Sequence, residues 1–415
     1  MPSVNGWVTG VGQFLVGVRV ITELEARNAI PPQGWIHDYC NFAEKQTTAP
    51  IGYHLACALA VLGATTPQEF GTTYGGSDIR GNLYALLVGR SGDEQKSSAL
   101  GISKRVLNAV SEQLGKPLIG KHPGSTEGLV DMLVDNPRQI LYYSEFGSFL
   151  AKSQKASYFE ALKGYYTDLW DCQPQDRVKA GNNIISVKNP RLSIVAGCSL
   201  GYLEQHTDPH DWSGGFMGRW AVMYCRRERT VSYPKNDWSP IPGLAAPLLL
   251  RAQQTEAAPC LGLNHDSFLI WDQWFHNLEA RPVPELITGA KTRVPTIALK
   301  TAMLYAWDFG DPLQGQPWYI LPHHLYWGIY FAELHLKSVI GLASFLAEHN
   351  DARARRSILE LIPPGGAKTL SQLLRSSKMK KRTLMEILDG LTTDGTLKVH
   401  IVTGGAGETL YERVT

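Results

Sequence analysis

The chain has 415 residues, of which 44% are hydrophobic and 19% charged, with 40 Lys/Arg against 38 Asp/Glu and a formal net charge of +2. That much apolar material excludes a disordered or low-complexity protein, and the length predicts two or three domains. A charge so near zero excludes a polycation that coats nucleic acid with its whole surface, so any DNA contact must be local.

The first twenty residues, MPSVNGWVTGVGQFLVGVRV, hold neither a basic n-region nor an A-x-A cleavage site, and no signal peptide is read there. The longest apolar stretch, Leu55 to Ala64, is about half of what a membrane-spanning helix needs. Six cysteines (Cys40, Cys57, Cys172, Cys198, Cys225, Cys260) lie scattered among apolar neighbours with no C-x-x-C pair. That pattern suits buried free thiols better than a disulfide frame or a zinc site. The expectation is a soluble cytoplasmic protein with no membrane contact.

In chain order, residues 1–80 read as a mostly helical region, with helical apolar spacing from Gly34 to Leu62. From residue 83 a buried-strand run (Leu83 to Val88) leads through a Gly/Ser-rich turn into a helix, Ser98 to Leu114. That order opens an α/β unit. Thr126 to Val134 is a further helix with Ser125 as its N-cap. Apolar runs at Gln139–Ser144, Arg191–Ser199 and Trp220–Cys225 supply three more strands, and Tyr158 to Trp170 another helix. Strands alternating with helices predict a largely parallel sheet covered on both faces, an α/β core over residues 81–290. Within it, 226–290 is Pro-rich and reads as an irregular insertion. Residues 291–350 read as a helical block. Residues 351–415 carry three helices (ending at Ile362, then Thr369–Arg375 and Arg382–Leu391) and two strands (Leu397–Val402, Thr409–Val414) around Gly404-Gly405-Ala406-Gly407. Three helices and a hairpin predict a winged helix.

Three segments carry chemistry. The turn Gly89-Arg90-Ser91-Gly92-Asp93-Glu94-Gln95-Lys96-Ser97-Ser98 follows a buried strand and opens a helix, where backbone N–H groups and the helix dipole favour phosphate. In that reading Gly89, Ser91, Gly92, Lys96, Ser97 and Ser98 bind nucleotide. Lys96 reaches the β/γ-phosphates, and the Ser97 or Ser98 hydroxyl holds Mg²⁺. The spacing departs from G-x-x-x-x-G-K-[ST]: Gln95 stands where the second Gly belongs, and Lys96 comes seven residues after Gly89 rather than six. Glu145, at the end of the second strand, is placed to polarise water, although Ser144 precedes it where a metal-binding Asp is expected. Its position predicts that its strand lies beside the strand before the turn. Arg219, in Gly214-Gly215-Phe216-Met217-Gly218-Arg219-Trp220, is placed to act across a subunit interface as an arginine finger. Lys96, Glu145 and Arg219 are the candidate catalytic residues.

The order L-L-V-G-R-S…K-S-S, I-L-Y-Y-S-E-F-G, N-P-R-L-S-I-V-A-G-C-S and G-G-F-M-G-R-W resembles a large family of uncharacterised P-loop proteins of phages, plasmids and integrated elements, often adjacent or fused to primase domains. The resemblance covers residues 30–350. It implies an AAA+/RecA-like core that binds ATP and Mg²⁺, with a sensor position at Cys198 or Ser199. The helical block and winged helix resemble those of AAA+ replication initiators and helicases, where Arg293 would be a second phosphate sensor. What this resemblance implies is an ATP-dependent helicase or helicase loader of mobile-element replication, assembled as a homo-oligomeric ring or filament. The alternatives are a catalytically weak P-loop scaffold that oligomerises and holds DNA, and a DNA-binding regulator that senses a small molecule.

The tail is locally basic: residues 351–415 carry 11 Lys/Arg and 7 Asp/Glu, which leaves the remainder near −2. Lys378, Lys380, Lys381 and Arg382 cluster where a recognition helix meets DNA phosphates. His206, Asp208, His210 and Asp211 read as a polar loop rather than a metal site, since Pro209 interrupts them and no second cluster completes a ligand set.

Overall fold

A computed structural model describes residues 20–414 apart from 68, 155–156, 179–183, 208, 231–233, 255–260, 311–318, 378 and 403–407. The chain divides into two compact units, 1–342 and 343–415.

The first unit opens with α1 (Glu23–Asn28), α2 (Trp35–Gln46) and α3 (Ile51–Thr65), followed by a hairpin of β1 (Gly71–Tyr74) and β2 (Ser77–Arg80). The helical spacing read from Gly34 to Leu62 is therefore two helices, parted at Thr47–Pro50, where Pro50 removes a backbone donor. α3 is buried on every side, which explains its lack of a polar face. Then come β3 (Tyr84–Gly89), α4 (Lys96–Leu114), α5 (Thr126–Asp135), β4 (Arg138–Tyr143), α6 (Phe146–Ser153) and α7 (Ser157–Trp170). A second hairpin of β5 (Gln175–Val178) and β6 (Ile184–Val187) precedes β7 (Arg191–Ser199), α8 (Leu200–His206), α9 (Pro209–Ser213) and β8 (Ala221–Tyr224).

β3, β4, β7 and β8 form one parallel sheet in the order β4-β7-β3-β8. Single parallel bridges extend it at both edges, Ile119 to Ile140 and Ile21 to Cys225. Here the sequence reading needs correction: β7 lies between β3 and β4, so the strands carrying the turn and Glu145 are not neighbours. Strand order depends on which crossover is long, and spacing along the chain does not encode it. One face of the sheet is covered by α3 and α4, where Ser193 and Gly197 of β7 meet Gly63 and Leu100. On the other face Tyr84 and Tyr143 hydrogen-bond to Tyr166 of α7. Burial on both sides is why these strands read as continuous apolar runs.

Residues 226–290 are more ordered than their prolines suggest. They include α10 (Ile241–Gln253), a short parallel strand β9 (Gly262–Leu263) and α11 (His265–Ala280). Pro240 sits at the start of α10, where a missing N–H costs nothing, and α11 is capped by the Asn264 side chain. After α12 (Thr288–Lys291) come α13 (Val294–Phe309), β10 (Tyr319–Ile320) and α14 (Pro322–Leu361). Residues 322–347 of α14 are long and apolar enough to cross a membrane by length and composition, a stretch longer than the Leu55–Ala64 run picked out from the sequence. Most of that stretch is buried inside the protein. His335 and Ser338 accept hydrogen bonds from Val222 N and Tyr224 N, each 3.0 Å. Together with Ile21 they satisfy the free edge of β8, an edge that would otherwise invite another strand.

The second unit contains the end of α14, β11 (Ala367–Thr369), α15 (Leu370–Ser377), α16 (Lys381–Thr393), β12 (Leu397–Val402) and β13 (Glu408–Arg413). Its antiparallel sheet has the order β11-β13-β12, one strand more than expected, and the glycines 404–407 lie outside the described residues. Leu384, Leu388 and Leu391 of α16 close its core with Ile358, Leu373 and Tyr411.

Candidate functional site

The turn after β3 lies at the C-terminal edge of the sheet, beside the strand around which the connections switch sides. Such an edge is where open α/β sheets build ligand sites. β3 ends at Gly89, and α4 begins at Lys96. Lys96 Nζ folds back and donates to the carbonyls of Gly89 (3.1 Å) and Arg90 (2.8 Å), so the ammonium closes the turn like a clasp. Burial holds the Lys96 pKa below the ordinary lysine value, opposed by the nearby acids Glu94, Glu145 and Asp93.

Three residues explain why this sequence closes the turn. Gly92 has φ +77° with open space around it. Gln95 takes the left-handed conformation, φ 48° and ψ 40°, at the position where the standard pattern has glycine. That conformation costs about 1–2 kcal/mol for a residue with a Cβ. The Gln95 side chain is held by Thr47, whose hydroxyl donates to Gln95 Oε1 at 2.6 Å. Gly89 is dictated by space: a Cβ there would lie 2.6 Å from Tyr53 Oη and 2.9 Å from Glu94 Oε2.

Lys96 and the end of β4 meet across the intervening strand because β7 carries Gly197. A Cβ on Gly197 would lie 3.1 Å from the Ser144 carbonyl oxygen and 3.4 Å from Lys96 Cβ. Glu145 follows Ser144 and is exposed at the start of α6. Ser97 and Ser98 are exposed in the first turn of α4, and neither hydroxyl makes a hydrogen bond among the described residues. They are the side chains best placed to hold a cation there; no cluster of three or more His, Cys, Asp or Glu able to hold a metal occurs among the described residues. Cys198 is buried and its thiol is pushed up to about 12, so at this site it is a neutral group. Ser199 instead accepts from Tyr202 N and caps α8.

Besides Thr47, four residues of the site were missed by the sequence reading. Glu94 is buried, its Oε2 makes no hydrogen bond among the described residues, and burial raises its pKa. Asp93 pairs with Arg227 at 2.9 Å. Arg229 donates to the carbonyls of Glu44, Thr47 and Ala49 and so fixes the segment that carries Thr47. These arginines follow β8 directly, and β8 lies beside β3 with Tyr224 opposite Val88. The signal in the sequence was Arg226-Arg227-Glu228-Arg229, a charged run leaving a buried strand.

Arg219 and Arg293 are elsewhere. Ala221 lies opposite Ala85, so Arg219 stands at the level of Leu83, about 20 Å along the strands from Gly89. Its guanidinium pairs with Asp171 (3.0 Å) and donates to the Gly215 carbonyl (3.0 Å). Arg293 begins α13 with its guanidinium 5.8 Å from the Trp170 ring centre, and Arg219 lies 5.7 Å from the same ring. Neither reaches the turn of its own chain.

Other expectations resolve plainly. Five cysteines are free and buried, and Cys260 lies outside the described residues. Of the histidine group, Asp208 lies outside the described residues, Asp211 bonds Lys163 at 2.6 Å, and His206 approaches Gln154. In the second unit Lys380, Lys381 and Arg382 are exposed at the start of α16, with Arg382 bonded to Glu386 at 3.0 Å, while Lys378 lies outside the described residues.

No protein-family model matches the chain, and comparison with curated proteins finds no relative.

Proposed function

We propose that the first unit is a P-loop nucleoside triphosphatase and that the second is a winged helix through which the protein acts on DNA. The observation that carries the reading is the clasp of Lys96 over the Gly89 and Arg90 carbonyls at the start of α4, with Gln95 in the left-handed conformation. That arrangement leaves a helix N-terminus, a lysine and two serine hydroxyls at one sheet edge, the set that phosphate binding calls for. In this reading Lys96 exchanges its two carbonyl partners for β/γ-phosphate oxygens, and Ser97 or Ser98 holds Mg²⁺. The metal would draw charge from the phosphates. Glu145 orients water, across the narrow Gly197 strand from Lys96. Arg219 would serve a neighbouring subunit of a ring or filament after giving up Asp171.

DNA contact is supported by the electrostatics of α16. Cations at a helix N-terminus oppose the helix dipole, so Lys380, Lys381 and Arg382 weaken the helix they begin. Phosphates of a duplex would offset that cost, while the leucines of the same helix face inward. Helicase or helicase-loader action on mobile-element DNA is the activity that joins both halves. The scaffold reading rests on a specific pair of features, Ser144 in place of an acid and two carboxylates inside the turn. Titration of the full chain with ATP–Mg²⁺ tests the site: tight binding abolished by Lys96→Ala supports it, and equal binding by the variant refutes it.

A further inference from the structure

The turn contains two acids, Asp93 and Glu94, in the place where a phosphate site needs positive potential. Glu94 is tucked under the turn beside Tyr53, and burial favours its neutral form. Asp93 is half-exposed on the turn. It is matched by Arg227 at 2.9 Å, a residue that β8 delivers to the same sheet edge. The two side chains are 43% and 32% exposed, and an ion pair so wet is held only weakly.

We propose that Arg227 is a second phosphate-binding cation of this site, occupied by Asp93 until a nucleotide phosphate displaces that carboxylate. The proposal rests on the nucleotide-site reading above and adds to it a residue outside the G-x-x-x-x-G-K-[ST] pattern. A terminal phosphate carries more charge than a carboxylate and presents three oxygens, so it competes well for a planar guanidinium fork. The exchange needs no backbone movement beyond the exposed turn, since Gly92, adjacent to Asp93, has open space around it. It also gives the extra residue of the turn a use: seven steps from Gly89 to Lys96 leave room for an acid that faces the β8 exit.

The two partners must then act in opposite directions, which a purely structural ion pair cannot do. In equilibrium titrations of the full chain with ATP–Mg²⁺, Arg227→Ala weakens binding roughly tenfold. Asp93→Asn, which frees Arg227 and removes a repulsive charge, tightens it about three- to tenfold. Thermal unfolding of both variants should match the unaltered protein, because the pair is half-exposed and screened by solvent. If both substitutions weaken binding, the pair merely shapes the turn and the proposal is wrong. It is equally wrong if Arg227→Ala leaves the Kd unchanged. If the unaltered chain binds no ATP, the site reading itself fails and takes the proposal with it. If Lys96→Ala abolishes binding while Asp93→Asn does not tighten it, the failure belongs to Arg227 alone.

Discussion

Acid should unfold the first unit through His335. This side chain is fully buried on α14, and its Nδ1 accepts from the Val222 N–H of the edge strand, so the ring must be neutral with its proton on Nε2. Burial pushes its pKa down to about 3 from an ordinary 6.5. A depressed folded value means that the unfolded chain takes up a proton as pH falls below 6.5 while the folded chain does not. The stability this group contributes is complete above pH 6.5 and is lost progressively as pH falls toward 3. Between pH 7 and pH 5 the loss amounts to about 2 kcal/mol from this residue. His335→Gln keeps an acceptor for Val222 but cannot titrate. Urea unfolding of the unaltered protein and the variant at both pH values isolates the term, because His54 and His324, both also pushed to about 3, are common to the pair. The unaltered protein should lose about 2 kcal/mol more than the variant between pH 7 and pH 5. Equal losses would refute the assignment of a buried, neutral, accepting His335.

Three further outcomes follow from the same packing. Gly89→Ala forces a Cβ to within 2.6 Å of Tyr53 Oη, so it should destabilise the first unit by about 1–3 kcal/mol in urea unfolding and loosen the Lys96 clasp. Lys300 is buried and bonded to Asn82 Oδ1 and to the Arg80 and Trp170 carbonyls, and burial lowers its pKa to about 8. Its unfolded form therefore holds the proton up to pH 10.5, and stability rises with pH above 8. The rise between pH 7 and pH 9 is about 1.3 kcal/mol and should be absent in Lys300→Met. Joint replacement of Lys380, Lys381 and Arg382 by Ala should weaken duplex binding uniformly across sequences and flatten the log Kd against log[salt] slope by about 2–3 units, checked by fluorescence anisotropy.

The sheet was largely legible in the sequence. β3, β4, β7 and β8 are buried on both faces, so each appears as an apolar run, and the observed ends differ from the expected ones by at most one residue. The order of the strands was not legible, because β7 inserts itself between β3 and β4 through long-range pairing. The β1–β2 hairpin was overlooked although its turn residues, Gly75 and Gly76, both take positive φ, a local signal that two adjacent glycines give directly. The length of α14 was hidden by the charged run after His349, which breaks the apolar spacing without breaking the helix. At the turn, Lys96, Ser97 and Ser98 stand out in the sequence because their order after a buried strand carries meaning. Asp93, Arg227 and Thr47 do not, since what joins them to the turn is the side-by-side placement of β8 and β3 and the approach of residues 47–50 to Gln95.

The measurement that bears most directly on the whole account is ATP hydrolysis by the full chain, with and without single-stranded DNA, beside Glu145→Gln. The account predicts turnover that DNA stimulates and that falls at least a hundredfold in the variant, the loss expected when a positioned base is removed. Turnover that Glu145→Gln leaves intact would contradict the role given to this edge of the sheet, and ATP binding without any turnover would leave only the scaffold reading standing.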